Sequence, residues 1–277
     1  MAQMVTILAL GLKRSTMEKF EISFIGAGNV AWHLAPALDN AGFKVRQVYS
    51  RDKGNAQKLI ERLYEAEWHP GLDFSDSASH LFIIAVKDSA IEEIATEIVL
   101  PENAMVVHTS GSQPLSILGY LPTENTGVFY PLQTFTKSRR IDFKEIPVCI
   151  EGQNNETFTL LKSVAESISA NVYRVDSIDR KTLHLAAVFA CNFTNHLYTI
   201  ARQLLERKGL DFEMFLPLIH ETVNKSLDIG PENSQTGPAI RKDMAVIEDH
   251  LQFLSHDEQL SRIYRNLSEH IIVTYNP

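Results

Sequence analysis

The chain has 277 residues, 44% of them hydrophobic and 22% charged, which suits one large or two ordinary globular domains with a sizeable core. Its formal net charge is −8 and no Lys/Arg block is longer than a pair, so the electrostatics argue against nucleic acid while leaving room for a local basic pocket for a phosphate. The only two cysteines, Cys149 and Cys191, sit in apolar runs without metal-ligand spacing or a disulfide framework, and read as buried free thiols of a reducing compartment.

The first sixteen residues, MAQMVTILALGLKRST, hold a short apolar run, but Lys13 and Arg14 follow it, whereas a secretory signal places its charges ahead of it. They read as a loose tail over 1–16, with Met17 a candidate start. From there to Val175, short apolar β-branched runs alternate with helical stretches. Strands are expected over 21–25, 45–49, 80–86, 105–108, 127–129, 148–150 and 172–175, with helices over 29–40, 53–63, 89–98 and 115–120. Continuous apolar strands separated by helices imply a parallel sheet covered on both faces.

After Val175 the pattern turns helical, over 179–208, 211–228, 237–253 and 257–273, punctuated by Gly209 and by GPENSQTG at 230–237. The fold class is therefore α/β, a doubly wound, mostly parallel sheet over 17–176, followed by an all-helical domain over 177–277. The uncharged span 182–201 has the length of a membrane helix, but His184, Asn192, Asn195 and His196 within it point to a helix buried in protein. The expected compartment is the cytoplasm, with no membrane partner.

Chemistry first shows at Gly26-Ala27-Gly28-Asn29-Val30-Ala31, which follows a strand and opens a helix. The first glycine permits the tight turn, the second admits a pyrophosphate to the backbone, and the small Ala31 allows close helix–strand packing. The alternative is a purely structural turn. About 25 residues on, Tyr49-Ser50-Arg51 stands where an NAD site places an acid on the ribose. Serine and arginine suit a 2′-phosphate instead, because guanidinium pairs with phosphate in a fork, so the pattern favours NADP over NAD. Asp52 comes one residue too late for the ribose role. Ala85, Val86, Lys87 and Asp88 end the next strand candidate and border the cofactor in this reading, with Asp88 alternatively a helix cap. Thr109, Ser110 and Gly111 end another, either toward the nicotinamide or as a simple turn.

On a wheel at about 100° per residue with His184 at zero, Asn195 falls at about 20°, Thr199 at about 60°, Asn192 at about 80° and His196 at about 120°. The polar groups thus form one stripe, which lines a cleft or forms a structural polar network. Gln133 and Thr134, followed by Lys137, Arg139 and Arg140, and the segment QTGPAIRKD with Arg241 are the remaining substrate candidates, Arg241 being a carboxylate binder or a surface salt-bridge partner.

The segments FIGAGNVAWHLAPAL, IIAVKDSAI, VVHTSGSQPL, GVFYPLQTF, LHLAAVFACNFTNHLY and QTGPAIRKD together resemble a family of candidate NADP oxidoreductases, which pair a Rossmann-like domain with a helical domain of unknown function. The likeness runs from Lys19 to Ile272. More distantly the layout is similar to pyrroline-5-carboxylate reductase and to the 6-phosphogluconate and β-hydroxyacid dehydrogenases. The resemblance implies their fold, NADP use and a homodimer formed through the helical domain, and supplies no substrate. The catalytic lysine of the β-hydroxyacid dehydrogenases, one turn before an asparagine, is replaced here by Val188, and no lysine lies between Lys181 and Arg202. The expected function is an NADP-dependent oxidoreductase acting on a small anionic molecule in a cleft between the domains. His196 or His184 is the acid/base and His108 a weaker rival; Asn192 and Asn195 orient the substrate, and Arg241 holds its charge. The alternatives are an NADP(H)-binding sensor without turnover and an imine reductase of the pyrroline-5-carboxylate type.

Overall fold

The computed structural model describes residues 20–276; the tail expected over 1–16 and the candidate start at Met17 lie outside the described residues. Two compact units divide the chain, residues up to Asn195 in the first and His196 onward in the second.

The first unit is built on one eight-stranded sheet. In chain order its elements begin with β1 (Glu21–Ile25), α1 (Asn29–Asn40), β2 (Lys44–Tyr49), α2 (Lys53–Ile60), β3 (Glu67–His69), β4 (Leu81–Ile84), α3 (Ile91–Glu97) and β5 (Met105–His108). They continue with β6 (Thr126–Pro131), β7 (Val148–Gly152), α4 (Asn155–Glu166), β8 (Val172–Arg174) and α5 (Ser177–Ala187). The strand order is β3-β2-β1-β4-β5-β6-β7-β8, parallel throughout except for the antiparallel β6–β7 pair. This is the expected doubly wound, mostly parallel sheet. Chain direction across the sheet reverses at β1, between β2 and β4, which makes the carboxyl edge there the natural ligand crevice.

Side chains alternate across the sheet with period two. Phe24, Ile83, Val107 and Phe129 face a core that contains Leu34, Leu38 and Leu161. Ile25, Phe82, Ile84, Val106 and Val128 face the other core, with Phe74, Ile91 and Ile94. Two elements go beyond the sequence expectations. The edge strand β3 is three residues long and needs only main-chain pairing with β2, so it carries no apolar run. The helix α4 is the crossover that a parallel β7–β8 pair requires, capped by Asn154 onto the Thr157 amide at 2.8 Å.

The helix expected over 179–208 runs unbroken but changes type. α5 passes at Val188–Phe193 into a π-helical segment, then into α6 (Thr194–Glu206). The Thr194 hydroxyl donates to the Phe189 carbonyl five residues back, at 3.3 Å. The span expected to be buried is instead open within this chain: Leu185, Phe189 and Phe193 are 56%, 62% and 50% exposed, because its apolar side chains are left uncovered. Cys191 lies on it and is exposed, which corrects the expectation of two buried thiols, while Cys149 is buried in β7.

The second unit contains most of α6, then α7 (Leu216–Ile229), the short α8 (Pro231–Ser234), α9 (Met244–Phe253) and α10 (Glu258–Tyr275). Its buried apolar cluster centres on Ala239, Ile247 and Leu251. The helix expected from 237 starts only at Met244: the chain runs through turns over 238–242, and Lys242 takes a φ of 56° before Asp243 caps the helix. Among the described residues no helix is long and apolar enough to cross a membrane.

Candidate active site

The carboxyl edge of the first unit's sheet carries two neighbouring features, a groove at β1, β2 and β4 and a polar cluster at β4, β5 and β6. The groove, of about 590 Å³, begins at the turn after β1. Gly26 has a φ of 111°, donates to the Tyr49 carbonyl at 2.7 Å, and would place a Cβ only 2.3 Å from the Ala85 carbonyl oxygen. Only glycine fits, in conformation and in space. Gly28 then starts the twelve-residue α1, whose capping position has no side-chain acceptor, so the first-turn amides and the helix dipole face the turn.

The residues expected to hold a cofactor at the ends of β1, β2 and β4 (Gly26 through Val30, Ser50, Arg51, and Ala85 through Lys87) all line this groove. Asp52 is occupied as the cap of α2, accepting from the Gly54 and Asn55 amides at 2.8 and 3.2 Å. Arg51 beside it is exposed and in no ion pair among the described residues. Lys137, which the sequence shows only as part of a basic run, reaches back across the groove, and its Nζ donates to the Ala27 carbonyl at 3.0 Å. A backbone-lined turn flanked by Arg51, Lys87 and Lys137 fits an elongated phosphate-bearing ligand.

The polar cluster is organised by a buried ion pair that the sequence does not announce. Arg180, in α5, is fully buried; its Nη1 pairs with the Glu151 carboxylate of β7, and its Nη2 donates to the Gln113 carbonyl at 2.7 Å and to the Ser177 hydroxyl at 3.2 Å. Ser177 donates in turn to Glu151 at 2.8 Å and accepts from the Leu115 amide at 2.9 Å. The loop after β5 is thus clamped to the start of α5.

One turn after Arg180 on the same helix face stands His184. Its Nδ1 lies 3.0 Å from the Tyr130 hydroxyl at the end of β6, and both rings press on Gly111, where an added Cβ would meet His184 Nδ1 at 2.6 Å and Tyr130 Cζ at 2.7 Å. Burial, reinforced by Cys149 and Asp88 and opposed by Arg180, pushes the Tyr130 phenol up to about 12. It keeps its proton at neutral pH. Asp88 is not the cap of the turn it begins; it accepts a hydrogen bond from the Ser112 hydroxyl.

His108 is completely buried beneath this cluster. Desolvation first, and the Arg180 cation second, hold its imidazole down at about 4, so it is neutral, and its Nδ1 accepts from the Ser110 amide at 3.1 Å. Thr109 and Ser110 are each only 6% exposed, and the Ser110 hydroxyl accepts from the amides of Ser112 and Gln113, which shapes the turn.

Comparison with known proteins bears on both features. A Rossmann-like domain model matches residues 12–133, and a domain of unknown function, DUF2520, matches 146–271. A solved structure from Bacteroides fragilis, named as a candidate NADP oxidoreductase, is 45% identical over 92% of this chain and 99% of its own, with a TM-score of 0.84. The chain belongs to that family of joined Rossmann-like and DUF2520 domains. A protein from Thermotoga maritima is 23% identical, covering 92% of this chain and 98% of its own at a TM-score of 0.64. A reductive aminase from Aspergillus terreus, solved with NADPH and ethyl-5-oxohexanoate, shares the fold at 14% identity, 92% and 94% coverage and a TM-score of 0.68. No protein with a curated description matches.

The other expected site residues of this family member are divided between the two compact units. A π turn closes over one residue more than an α turn, so each extra residue rotates the remainder of the helix by about 100° and the constant-period wheel fails past Val188. His184 belongs to the first unit. His196 opens the second, where it borders a small groove with Arg207 and Asp257. Asn192 is exposed on the π segment, Asn195 ends the first unit, and Arg241 is exposed on the turn before α9. Gln133 and Thr134 are exposed and bonded to one another, the Gln133 Oε1 accepting from the Thr134 amide at 2.7 Å. Tyr130, Arg180 and Glu151 are the site residues that sequence reasoning missed, while Lys137, expected on the substrate side, is placed at the glycine turn. For Tyr130 the signal existed: it ends a parallel strand at the ligand edge.

Proposed function

We propose that this chain is an NADP(H)-dependent oxidoreductase of small molecules, in which the Tyr130–His184 pair handles the proton. The observation that supports it is the pair itself, at 3.0 Å, on the same sheet edge as the glycine turn. The name of the Bacteroides fragilis relative and the NADPH in the Aspergillus terreus structure agree with the residues present: a turn that admits no Cβ at Gly26, an uncapped α1 N-terminus and three cations around one groove. Arg51 serves a 2′-phosphate, since Asp52 is already engaged as a helix cap.

When bound, the dinucleotide supplies or accepts a hydride. The chain supplies the rest. Tyr130, protonated at neutral pH, donates to His184 Nδ1 and thereby leaves the imidazole proton on Nε2. His184 Nε2–H is the group placed to give a proton to a reduced carbonyl or imine, and to take it back in the reverse direction. Arg180 and Glu151 hold α5, and with it His184, against the loop that contains Gly111.

A screen of 2-oxo acids, cyclic imines and β-hydroxy acids, followed at the nicotinamide absorbance band, tests the activity. With a substrate in hand, Tyr130→Phe and His184→Ala are each expected to lower kcat by about 10²–10⁴ while leaving cofactor affinity intact. Unchanged kcat in both variants refutes the assignment. Arg51→Ala is expected to weaken NADPH about tenfold and leave NADH unaffected, and equal losses for both cofactors refute the 2′-phosphate role.

We also infer a homodimer through the helical segments. Large apolar side chains on these helices support it: Phe189 and Phe193 on the π segment and Leu227 and Val273 in the second unit are 62%, 50%, 80% and 72% exposed. Sedimentation equilibrium is expected to give twice the chain mass, and a monomer at micromolar concentration rejects the inference.

A further inference from the structure

A second groove, of about 720 Å³, lies in the first unit beside α1. Its lining includes Trp32, Arg62, Lys137, Arg139, Arg140 and Lys144. Among the described residues none of these five cations forms an ion pair. The acid in the lining, Asp142, is engaged in capping the short turn at Phe143–Glu145, where its Oδ1 accepts from the Lys144 amide at 3.0 Å. Five cations against one acid around a single concavity stand out in a chain of net charge −8.

Two of the cations are held in place. The Arg62 guanidinium lies 4.3 Å from the Trp32 ring centroid and donates to the Trp32 carbonyl. The Lys137 ammonium lies 4.9 Å from the same centroid while bonded to Ala27. Cation–π contact fixes the heads without neutralising them, so the groove keeps its positive field. Partial burial and the neighbouring Arg140 pull the Arg62 pKa downward, the direction produced by a like charge without a counter-charge. The groove is also supported from beneath: His33 Nε2 is 2.9 Å from the Thr136 carbonyl and its ring stacks on Phe135 at 5.2 Å, which ties the basic loop to α1.

Guanidinium forks match phosphate oxygens two at a time, and the volume is that of a ligand site for a small molecule. We propose that this groove is a second anion site, separate from the dinucleotide groove and sharing only Lys137 with it, that binds a small ligand carrying adjacent phosphate groups, of the di- or triphosphate class. Multiplicity of charge is the recognised feature, because Arg62 approaches from beyond α2 while Lys137, Arg139, Arg140 and Lys144 approach from the segment between β6 and β7.

The test uses the full-length protein and tripolyphosphate, pyrophosphate, orthophosphate and citrate at matched ionic strength. Binding is read by calorimetry and by the fluorescence of Trp32 in a Trp68→Phe background, these being the two tryptophans of the chain. The expected result is saturable binding, tightest for tripolyphosphate and at least tenfold weaker for orthophosphate, with a Trp32 signal. Arg139→Glu with Arg140→Glu, both exposed positions outside the dinucleotide groove, should weaken it at least tenfold with an unchanged circular dichroism spectrum. Arg51→Ala should leave it intact. Absence of saturation overturns the proposal. So does retained affinity in the double charge reversal, loss of affinity in Arg51→Ala, which would put the anion on the glycine turn, or citrate binding as tightly as tripolyphosphate.

Discussion

Replacing Arg180 by Met keeps most of the stem volume and removes the guanidinium from a position with no solvent exposure. Three interactions are lost: the ion pair with Glu151, the 2.7 Å bond to the Gln113 carbonyl and the 3.2 Å bond to Ser177. Among the described residues the Glu151 carboxylate then keeps only Ser177, at 2.8 and 3.1 Å, and the Gln113 carbonyl loses a charged donor. Breaking a buried pair from one side costs at most about 3–5 kcal/mol, mainly because the remaining charge, here a Glu151 side chain 18% exposed, stays largely out of water without its partner. For a chain of this size that lowers the unfolding midpoint by roughly 6–20 °C. Adding Glu151→Gln removes the stranded charge, so the double variant should recover about 1–3 kcal/mol of the loss. The assay is thermal and urea unfolding of wild type, both single variants and the double, followed by circular dichroism at one protein concentration. A loss below about 1 kcal/mol for Arg180→Met, or a coupling energy near zero, would show that the pair behaves as a surface salt bridge and does not clamp the loop to α5.

Other consequences are testable in the same way. Gly111→Ala inserts a methyl 2.6 Å from His184 Nδ1 and 2.7 Å from Tyr130 Cζ, so the two rings must part; a stability loss of about 1–3 kcal/mol is expected by differential scanning calorimetry, and an unshifted midpoint contradicts the packing. Gly26→Ala meets both a φ of 111° and the Ala85 carbonyl at 2.3 Å, and should abolish dinucleotide binding measured by calorimetry; retained binding would mean the turn is not the contact. His108 is depressed from 6.5 to about 4 in the folded state, so between those values the unfolded chain binds the extra proton. Stability from this residue is therefore complete above pH 6.5 and falls as pH drops toward 4, by roughly 3 kcal/mol at about 1.4 kcal/mol per pH unit. His108→Asn should flatten that part of the pH–stability curve, and an identical slope in the variant excludes His108 as its source.

Legibility in the sequence depends on the physics of each signal. The glycine turn could be read because it is local: a strand, two glycines and a helix start are adjacent in the chain, and so is the Tyr49-Ser50-Arg51 segment. The doubly wound sheet was legible from continuous apolar strands, whose two faces are both buried. The Arg180–Glu151 pair was not, since its partners are 29 residues apart on different elements and Arg180 looks like any solvated helix charge in a linear pattern. Lys137 was visible as part of a basic run, but its target, the Ala27 carbonyl, lies 110 residues away. The edge strand β3 carries no pattern because it buries little.

The histidines show why composition of a helix does not define a site. His184, Asn192, Asn195 and His196 share one uncharged span, and a constant α period gathers them on one face. The π segment at Val188–Phe193 breaks that period, and the boundary between compact units falls between Asn195 and His196. His184 meets the sheet edge of its own unit, and the other side of the contact explains why. Tyr130 emerges at the end of β6, Gly111 leaves the space above the loop after β5, and the Arg180 clamp fixes the turn of α5 that precedes His184. His184 becomes a candidate proton carrier because a phenol that keeps its proton lies 3.0 Å from its Nδ1, and because a missing Cβ lets both rings sit there.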